Sequence, residues 1–153
     1  MNRSPSTLDV DATFPGRLLF GRLNSAFREA QDKALAPLGL TCSQAKVLLN
    51  CKRGEANTPA ELARFNDLDI SSVSRMLDRL EKKGLLTRSR TGTDRRQVVV
   101  RITPKGRGLL KKGGPLAARV ATTAWKDVSE REKQTLRNIV YKILGNLGHY
   151  SKS

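Results

Sequence analysis

The sequence predicts a mainly α-helical fold that contains one small β-hairpin. Helix start signals recur along the chain, each with Ser or Thr followed three residues later by Gln or Glu, the capping-box pattern. Behind these signals, apolar residues recur at helical spacing. One stretch differs: in TGTDRRQVVVR, residues 91–101, a turn-prone tripeptide and a charged tip lead into a β-branched run. Such a stretch is typical of a hairpin.

Four helices are predicted before the hairpin. They span, approximately, residues 15–36, 42–52, 59–66 and 70–83. Thr41 and Thr58 begin the second and third of these helices, because each hydroxyl can accept a hydrogen bond from the first turn while Gln44 or Glu61 reaches back to the cap. Gly84 ends the fourth helix.

Two strands and two further helices complete the chain. The strands are predicted over about residues 86–90 and 97–102, and the helices over about 104–125 and 130–149. The first of these helices is expected to break at Gly113-Gly114-Pro115, since proline lacks an N–H donor and clashes with the preceding turn. Ser129 and Glu132 form a third capping box at the start of the last helix.

The fourth helix carries an apolar and a polar face. Its apolar positions are predicted to form one buried face: Ile70, Val73, Leu77 and Leu80. The polar residues away from that face are predicted to contact DNA: Ser71, Ser72, Ser74, Arg75 and Arg79. Small hydroxyl residues allow close approach, and a guanidinium can form two hydrogen bonds with guanine. With the short helix before it, this helix forms a helix-turn-helix pattern, and the hairpin behind it makes the winged variant.

The hairpin tip places an acid beside two arginines. A guanidinium suits the narrow minor groove of DNA, where the negative potential is enhanced. Asp94, two residues before Arg96, can orient that side chain through a charge-assisted pair. We therefore predict DNA contacts for Asp94, Arg95 and Arg96, and for Arg88 and Arg90 on the first strand. The alternative is that Asp94 and Arg96 form a surface ion pair that binds no other molecule.

Positive charge is concentrated in one part of the chain. The 153 residues carry a net charge of +15, and the segment from Arg75 to Lys112 holds thirteen Lys and Arg residues against three acids, a net charge of +10. A clustered basic surface favours a polyanionic partner, nucleic acid first and an acidic membrane surface second. The sequence contains no apolar run long enough to span a membrane and no signal-peptide pattern at its start.

The sequence offers little for metal or enzymatic chemistry. Cys42, Cys51 and the single histidine, His149, do not have the spacing of a zinc site. No nucleophile and base stand at a catalytic spacing, so we expect neither an enzyme nor a cofactor. Cys42 lies at a predicted helix N-terminus, where the helix dipole would lower the pKa of a thiol. The interpretation that we favour is nevertheless an inert small residue at this position.

Residues 57–108 resemble the DNA-binding lobe of the MarR family of bacterial transcription regulators. The matching residues are Thr58-Pro59, Glu61-Leu62-Ala63, Leu77-Asp78-Arg79-Leu80-Glu81, Gly84-Leu85, Asp94-Arg95-Arg96 and Ile102-Thr103-Pro104-Lys105-Gly106, with Gly39-Leu40-Thr41 upstream. The resemblance implies the same wing pair and recognition-helix residues that the chemistry indicates. One departure is that Asn66 and Asp67 stand where the family usually has an apolar residue and glycine.

The resemblance also implies a homodimer formed by the first and last helices. On this view residues 1–153 are a single domain, with a DNA-binding lobe over 41–112 and dimerisation helices over 13–38 and 115–150. Apolar residues at helical spacing would form the interface: Leu19, Leu23, Leu136, Ile139, Val140, Ile143, Leu144 and Leu147. Core packing within one chain is the alternative, but the lobe is too small to cover both stripes.

These observations predict a sequence-specific regulator, most simply a repressor, that binds a pseudo-palindromic operator as a dimer. The resemblance implies release by a small phenolic or aromatic acid, and a place in the bacterial cytoplasm in association with the nucleoid. One alternative is a basic protein that coats DNA irrespective of sequence. Another is an RNA-binding protein, which would need aromatic stacking platforms that the predicted lobe lacks.

Overall fold

The structure is a computed structural model, and it describes residues 16–90 and 98–149. Its elements are α1 (Gly16–Leu35), α2 (Cys42–Arg53), α3 (Pro59–Asn66), α4 (Ile70–Lys82), β1 (Leu86–Arg90), β2 (Val98–Ile102), α5 (Pro104–Ala124) and α6 (Glu130–Asn146), with a 3₁₀ turn at Ala36–Leu38. The mainly helical fold with one antiparallel hairpin is therefore confirmed. The chain forms two compact units, Met1–Val120 and Ala121–Ser153. The assignment of one domain with a lobe and two dimerisation helices stays a prediction.

All three predicted capping boxes are present. The pairs are Thr41 with Gln44, Thr58 with Glu61, and Ser129 with Glu132. In the second box, the Thr58 backbone N–H donates to Glu61 Oε2 at 3.1 Å and the Glu61 N–H donates to Thr58 Oγ1 at 3.3 Å. Such a cap involves only groups within one helical turn, which explains why the sequence alone was sufficient to place it.

The turn between α3 and α4 accommodates its unusual residues. Asp67 adopts the left-handed conformation, with φ at 51°, which Asp tolerates better than most residues. The N–H of Leu68 donates to the Ala63 carbonyl at 3.0 Å, as in a Schellman helix end. Asn66 Nδ2 donates to the Leu62 carbonyl at 2.7 Å, which satisfies the polar side chain in this half-buried position.

The hydrophobic core lies among α2, α3, α4 and the root of the hairpin. Its fully buried side chains are Leu48, Leu62, Leu77, Leu80, Leu86, Val47, Val73 and Val100. The strands pair antiparallel from Leu86 opposite Ile102 to Arg90 opposite Val98. The Val100 N–H donates to the Asn57 carbonyl at 2.7 Å, so the hairpin is also attached to the segment before α3.

Ile70 is not part of the buried face of α4, which corrects the prediction. Val73, Leu77 and Leu80 are fully buried, whereas Ile70 is 59% exposed. Ile70 is the first residue of α4, and helical side chains lean towards the N-terminus. Its side chain therefore extends past the end of the helix, beyond the neighbours that cover the other three.

The predicted break in α5 is also wrong, because α5 is one helix from Pro104 to Ala124 with Pro115 inside it. A residue before proline normally avoids the helical region because its Cβ clashes with the proline ring. Gly114 has no Cβ, so this part of the clash is absent. A Cβ at the buried Gly113 would lie 3.1 Å from Leu35 Cδ2, so glycine also permits close packing against the end of α1.

Helix α6 ends at Asn146, three residues before the predicted end. Gly148 adopts a left-handed conformation with φ at 73°, which glycine does without steric cost. The His149 N–H donates to the Leu144 carbonyl at 2.9 Å, a hydrogen bond of the Schellman type. Leu147, expected on the interface stripe, therefore lies just past the end of the helix.

Candidate nucleic-acid interface

The first two turns of α4 present an ordered polar surface. Asp69 caps the helix, with its Oδ1 accepting from the Ser72 N–H at 2.8 Å, and Arg75 Nη2 donates to Ser72 Oγ at 3.1 Å. Hydrogen bonds from Ser72 lower the pKa of Asp69, with a smaller contribution from the charge of Arg75. Ser71 and Arg75 are exposed, and Ser72 and Ser74 are half-buried. The predicted serines and arginine therefore lie together at the start of this helix.

The other predicted contact residues are placed less uniformly. Arg79 is exposed one turn further along α4, and Arg90 is exposed at the outer end of β1. Asp94, Arg95 and Arg96, at the tip of the wing, lie outside the described residues. Their role as a minor-groove probe stays a prediction.

Arg88 is engaged in ion pairs within the chain, and its contact with DNA stays a prediction. Its Nη2 lies 2.6 Å from Asp78 Oδ1 and 2.6 Å from Glu81 Oε2, and its Nε donates to Glu81 Oε2 at 2.9 Å. The hydrogen bond from Arg88 is the largest cause of the lowered pKa of Glu81. Two carboxylates thus neutralise this guanidinium.

Three cations of the basic cluster donate to backbone carbonyls near the junction of α4, β1 and α5. Lys83 Nζ donates to Gly39 O at 2.6 Å, Lys105 Nζ to Lys83 O at 2.8 Å, and Arg107 Nη1 to Ile102 O at 3.0 Å. From the sequence, these residues were expected only to add to the general positive charge. Gly39 and Lys83 are the C-terminal caps of their helices, where carbonyls lack helical partners, and this is the feature that could have indicated the second role of Lys83 and Lys105.

The surroundings of Cys42 raise the pKa of its thiol. Cys42 is buried, its Sγ donates to Gln31 Oε1 at 2.7 Å, and its backbone N–H donates to Asp32 Oδ1 at 2.6 Å. Burial raises the pKa of this thiol, because a thiolate loses its hydration inside the protein. This direction is opposite to the lowering that a helix N-terminus alone would cause, and an inert role for Cys42 stays the favoured interpretation. Burial also raises the pKa of Cys51, to about 11.

Two cavities border α1 and α2. One of about 780 Å³ lies between α1, the start of α2 and the α3–α4 turn, with Phe20, Phe27 and Phe65 among its lining residues. The other, of about 450 Å³, lies among α1, α2 and α5. The second cavity has mostly apolar walls and two lysines: Leu35, Leu40, Ala45, Leu49, Leu110 and Ala117, with Lys46 and Lys52.

Among the described residues, the apolar stripes of α1 and α6 are exposed or half-buried. Leu19 and Leu23 are exposed on α1. Helix α6 has no buried residue: Ile139 is 50% exposed and Leu147 more so, while Leu136, Val140, Ile143 and Leu144 are half-buried. Solvent exposure of a continuous apolar stripe usually marks an interface.

Neither a membrane-spanning helix nor a cluster of metal-binding side chains occurs within residues 16–90 and 98–149. No helix in these ranges is both long and apolar enough to cross a membrane. The same residues contain no group of three or more His, Cys, Asp or Glu side chains arranged to hold a metal ion.

The fold and the site define a class. A short helix, a tight turn, a second helix with an exposed polar face and an antiparallel hairpin directly behind it form a winged helix-turn-helix. A sequence model of the MarR family matches residues 40–98.

Comparisons with known proteins give the family. The multiple antibiotic resistance protein MarR of Salmonella typhimurium is 31% identical over 134 residues, which are 84% of this chain and 90% of the relative. The transcriptional repressor MprA of Escherichia coli is 28% identical over 82% of this chain and 72% of its own. The chain belongs to the MarR family of transcription regulators.

Solved structures agree with this assignment. Wild-type apo MarR from E. coli superimposes with a TM-score of 0.73 at 30% identity, covering 84% of this chain and 96% of that one. A mutant MarR from E. coli, complexed with operator DNA, gives a TM-score of 0.79 at 29% identity and covers 91% and 99% of the two chains.

Proposed function

We propose that this protein is a dimeric repressor that binds a pseudo-palindromic operator and is released by a small aromatic acid. The observation that carries the proposal is the exposed Ser and Arg surface at the start of α4, in a chain of net charge +15. Family membership supports it, since MprA is named a transcriptional repressor and MarR of E. coli has a structure with operator DNA. Such a regulator would act on DNA of the bacterial nucleoid.

Base reading is assigned to the first two turns of α4. The hydrogen bond from Arg75 to Ser72 restricts the guanidinium, so less rotamer freedom is lost when it meets a base. Arg75 is assigned to a guanine edge, and Ser71 and Ser74 to bases or phosphates at close range. Arg79 and Arg90 are assigned to phosphates on either side, which position the helix without reading sequence. The wing residues Asp94, Arg95 and Arg96 are assigned to the minor groove.

Dimerisation is assigned to the uncovered apolar residues of α1 and α6. A second copy can bury Leu19, Leu23, Ile139 and their neighbours on the two stripes, which are exposed or half-buried in the part of the chain that the structure describes. An interface of this kind has two-fold symmetry, so the two copies of α4 would meet two half-sites of opposite orientation. The operator would then be a pseudo-palindrome.

The effector is assigned to the cavity among α1, α2 and α5. Apolar walls suit an aromatic ring, and Lys46 or Lys52 can pair with a carboxylate. The cavity of about 450 Å³ falls within the usual size of small-molecule sites. Benzoate is a suitable probe. It should weaken operator binding by the wild type, and Lys46→Ala combined with Lys52→Ala should reduce that response. Acetate, which lacks the ring, is the control.

The DNA-binding proposal is tested with a palindrome selected from random DNA and a scrambled duplex of equal length. Wild type should prefer the palindrome by about 10³ or more at one salt concentration. Arg75→Ala should cost about 1–3 kcal/mol on the palindrome and much less on the scrambled duplex. Lys111→Ala, which removes an exposed charge from α5, should weaken both duplexes about equally. Equal affinity of wild type for both duplexes would favour the sequence-indifferent DNA-coating protein instead.

A further inference from the structure

Helix α4 carries two carboxylates that direct DNA binding does not explain. Asp78 and Glu81 belong to a helix that is proposed to approach a polyanion, and both side chains are partly exposed. A negative charge at such a surface repels phosphates, so these acids oppose the proposed function unless they do something else. Both carboxylates lie against one residue of the hairpin, Arg88.

The carboxylate of Glu81 binds both the backbone and the side chain of Arg88 on β1. Glu81 Oε1 accepts from the Arg88 backbone N–H at 3.0 Å, and Oε2 accepts from Arg88 Nε at 2.9 Å and Nη2 at 2.6 Å. Asp78 Oδ1 lies 2.6 Å from the same Nη2. A guanidinium has a rigid, planar set of donors, so this arrangement fixes a direction as well as a distance. A lysine could supply the positive charge but not the planar set of donors.

The ion pair lies at a point where the hairpin loses its support from the core. At the root, Leu86, Val100 and Ile102 are buried. Outside Arg88, Ser89 and Arg90 are exposed and Val98 and Val99 are only half-buried: none of these four residues is anchored in the core. A two-stranded ribbon without other support is only marginally stable, so a fixed contact near its middle decides where the outer half points.

We propose that Arg88 is a positioning residue for the wing, and that Glu81 and Asp78 hold it in place. The ion pairs fix the angle between the hairpin and α4, so that the helix and the wing can reach adjacent grooves of the same duplex. Arg88 itself contacts no DNA in this scheme. The inference rests on the proposed DNA binding and adds a mechanism to it.

The sign of one substitution separates this role from a direct contact. Glu81→Gln removes a negative charge from a DNA-binding surface, so without a positioning role it should tighten operator binding. If Glu81 positions the wing, the same substitution should weaken binding, by about tenfold if the wing no longer makes one good interaction in its groove. Asp78→Asn should change affinity in the same direction but less, because Asp78 holds Arg88 through one nitrogen only.

Arg88→Lys provides the matched variant, because it keeps the charge and removes the planar fork. We expect it to weaken binding as Glu81→Gln does, and to reduce the slope of log K against log salt by about 1 for each phosphate that the displaced wing no longer neutralises. If Arg88 contacted a phosphate directly, lysine would retain most of the affinity and the slope. Far-UV circular dichroism and thermal melting verify that each variant is folded.

Footprinting on the selected palindrome then locates the loss. Hydroxyl radicals report the minor groove, and dimethyl sulfate at guanine N7 reports the major groove. In Glu81→Gln and Arg88→Lys, we expect weaker minor-groove protection with major-groove protection retained. Unchanged minor-groove protection, or tighter binding by Glu81→Gln, would overturn the positioning role alone. Absence of wild-type protection in both grooves would refute the proposed function, and this inference with it.

Discussion

The winged-helix lobe and the terminal helix α6 contain helices that begin with the same capping hydrogen bonds but differ in how much apolar surface they bury. Helix α3 of the lobe and α6 both start with a reciprocal Ser or Thr and Glu capping box. Leu62 in α3 is fully buried, whereas α6 has no buried residue although its apolar positions recur at helical spacing. Helix formation is therefore decided locally, whereas burial depends on whether a partner surface exists within the chain.

Helix α1 combines both situations in one element. Leu35, at its C-terminal end, is buried in the core, while Leu19 and Leu23, three to four turns earlier, are exposed. The core thus includes the C-terminal end of α1, whereas Leu19 and Leu23 on the same helix stay outside it. We therefore expect substitutions on the exposed stripes of α1 and α6 to affect dimer stability more than any other changes considered below.

The largest expected effect is on the α6 stripe. If a second copy buries Ile139, Ile139→Asp places an unpaired charge in the interface, which costs about 3–5 kcal/mol and shifts dimer dissociation by more than about 100-fold. Asn138→Asp is the control, because it adds the same negative charge at the exposed residue next to Ile139. It also keeps the Oδ1 atom that accepts from Gln134 Nε2. Sedimentation equilibrium measures both. Equal dimer affinity in the two variants would contradict the assignment of this stripe to the interface.

A second prediction compares two aliphatic residues of α4. Leu77→Ala, at a fully buried position, should lower the free energy of unfolding by about 2–5 kcal/mol. Ile70→Ala should cost less than about 1 kcal/mol, because more than half of Ile70 is already in water. Urea unfolding at one protomer concentration measures both. Similar losses at the two positions would mean that Ile70 is covered in the folded dimer.

Two glycines of α5 give a sharper test of packing inside the lobe. A Cβ at Gly106 would overlap the Leu85 carbonyl oxygen and lie 2.8 Å from Ile102 Cγ1, so Gly106→Ala should destabilise by about 1–3 kcal/mol. A Cβ at Gly108 meets nothing within 4 Å, so Gly108→Ala should stabilise by about 0.5–1 kcal/mol through helix propensity. Thermal melting gives both signs. A stable Gly106→Ala protein would show that Leu85 and Ile102 can move away from α5 at no cost.

The smallest expected effect concerns the capping boxes, of which α3 in the lobe and α6 each have one. The pKa of Glu61 is lowered chiefly by the hydrogen bond from the Asn57 backbone, and that of Glu132 chiefly by the hydrogen bond from the Ser129 side chain. A lowered folded-state pKa adds stability above the unfolded value, near about 4.3, that is lost as pH falls through the folded value. Glu61→Gln and Glu132→Gln should each make the melting temperature less dependent on pH between about 5 and 3. An unchanged pH profile in both variants would argue against these caps.

Much of the DNA-binding surface could be predicted, because its residues are close together in the chain. The cap at Asp69, the serines behind it and Arg75 lie within seven residues, so helical geometry alone places them on one end of α4. Arg88 could not be placed in the same way. Its hydrogen bond with Glu81 joins a helix to a strand across a change of direction at Gly84, where φ is 70°. The sequence shows both charges but not the angle that brings them together.

By itself the sequence determined the starts of the helices, the turn at Asp67 and the hairpin, because each uses hydrogen bonds or backbone preferences of residues within about one turn. Only the tertiary structure decided the rest. Gly113 packs closely against Leu35 within a helix that continues through Pro115, and Cys42 has a raised pKa because burial excludes water from its thiol. Whether Ile70 is buried depended in the same way on the surrounding elements. Burial, desolvation and ion pairing depend on which distant residues approach, and a local pattern does not contain that information.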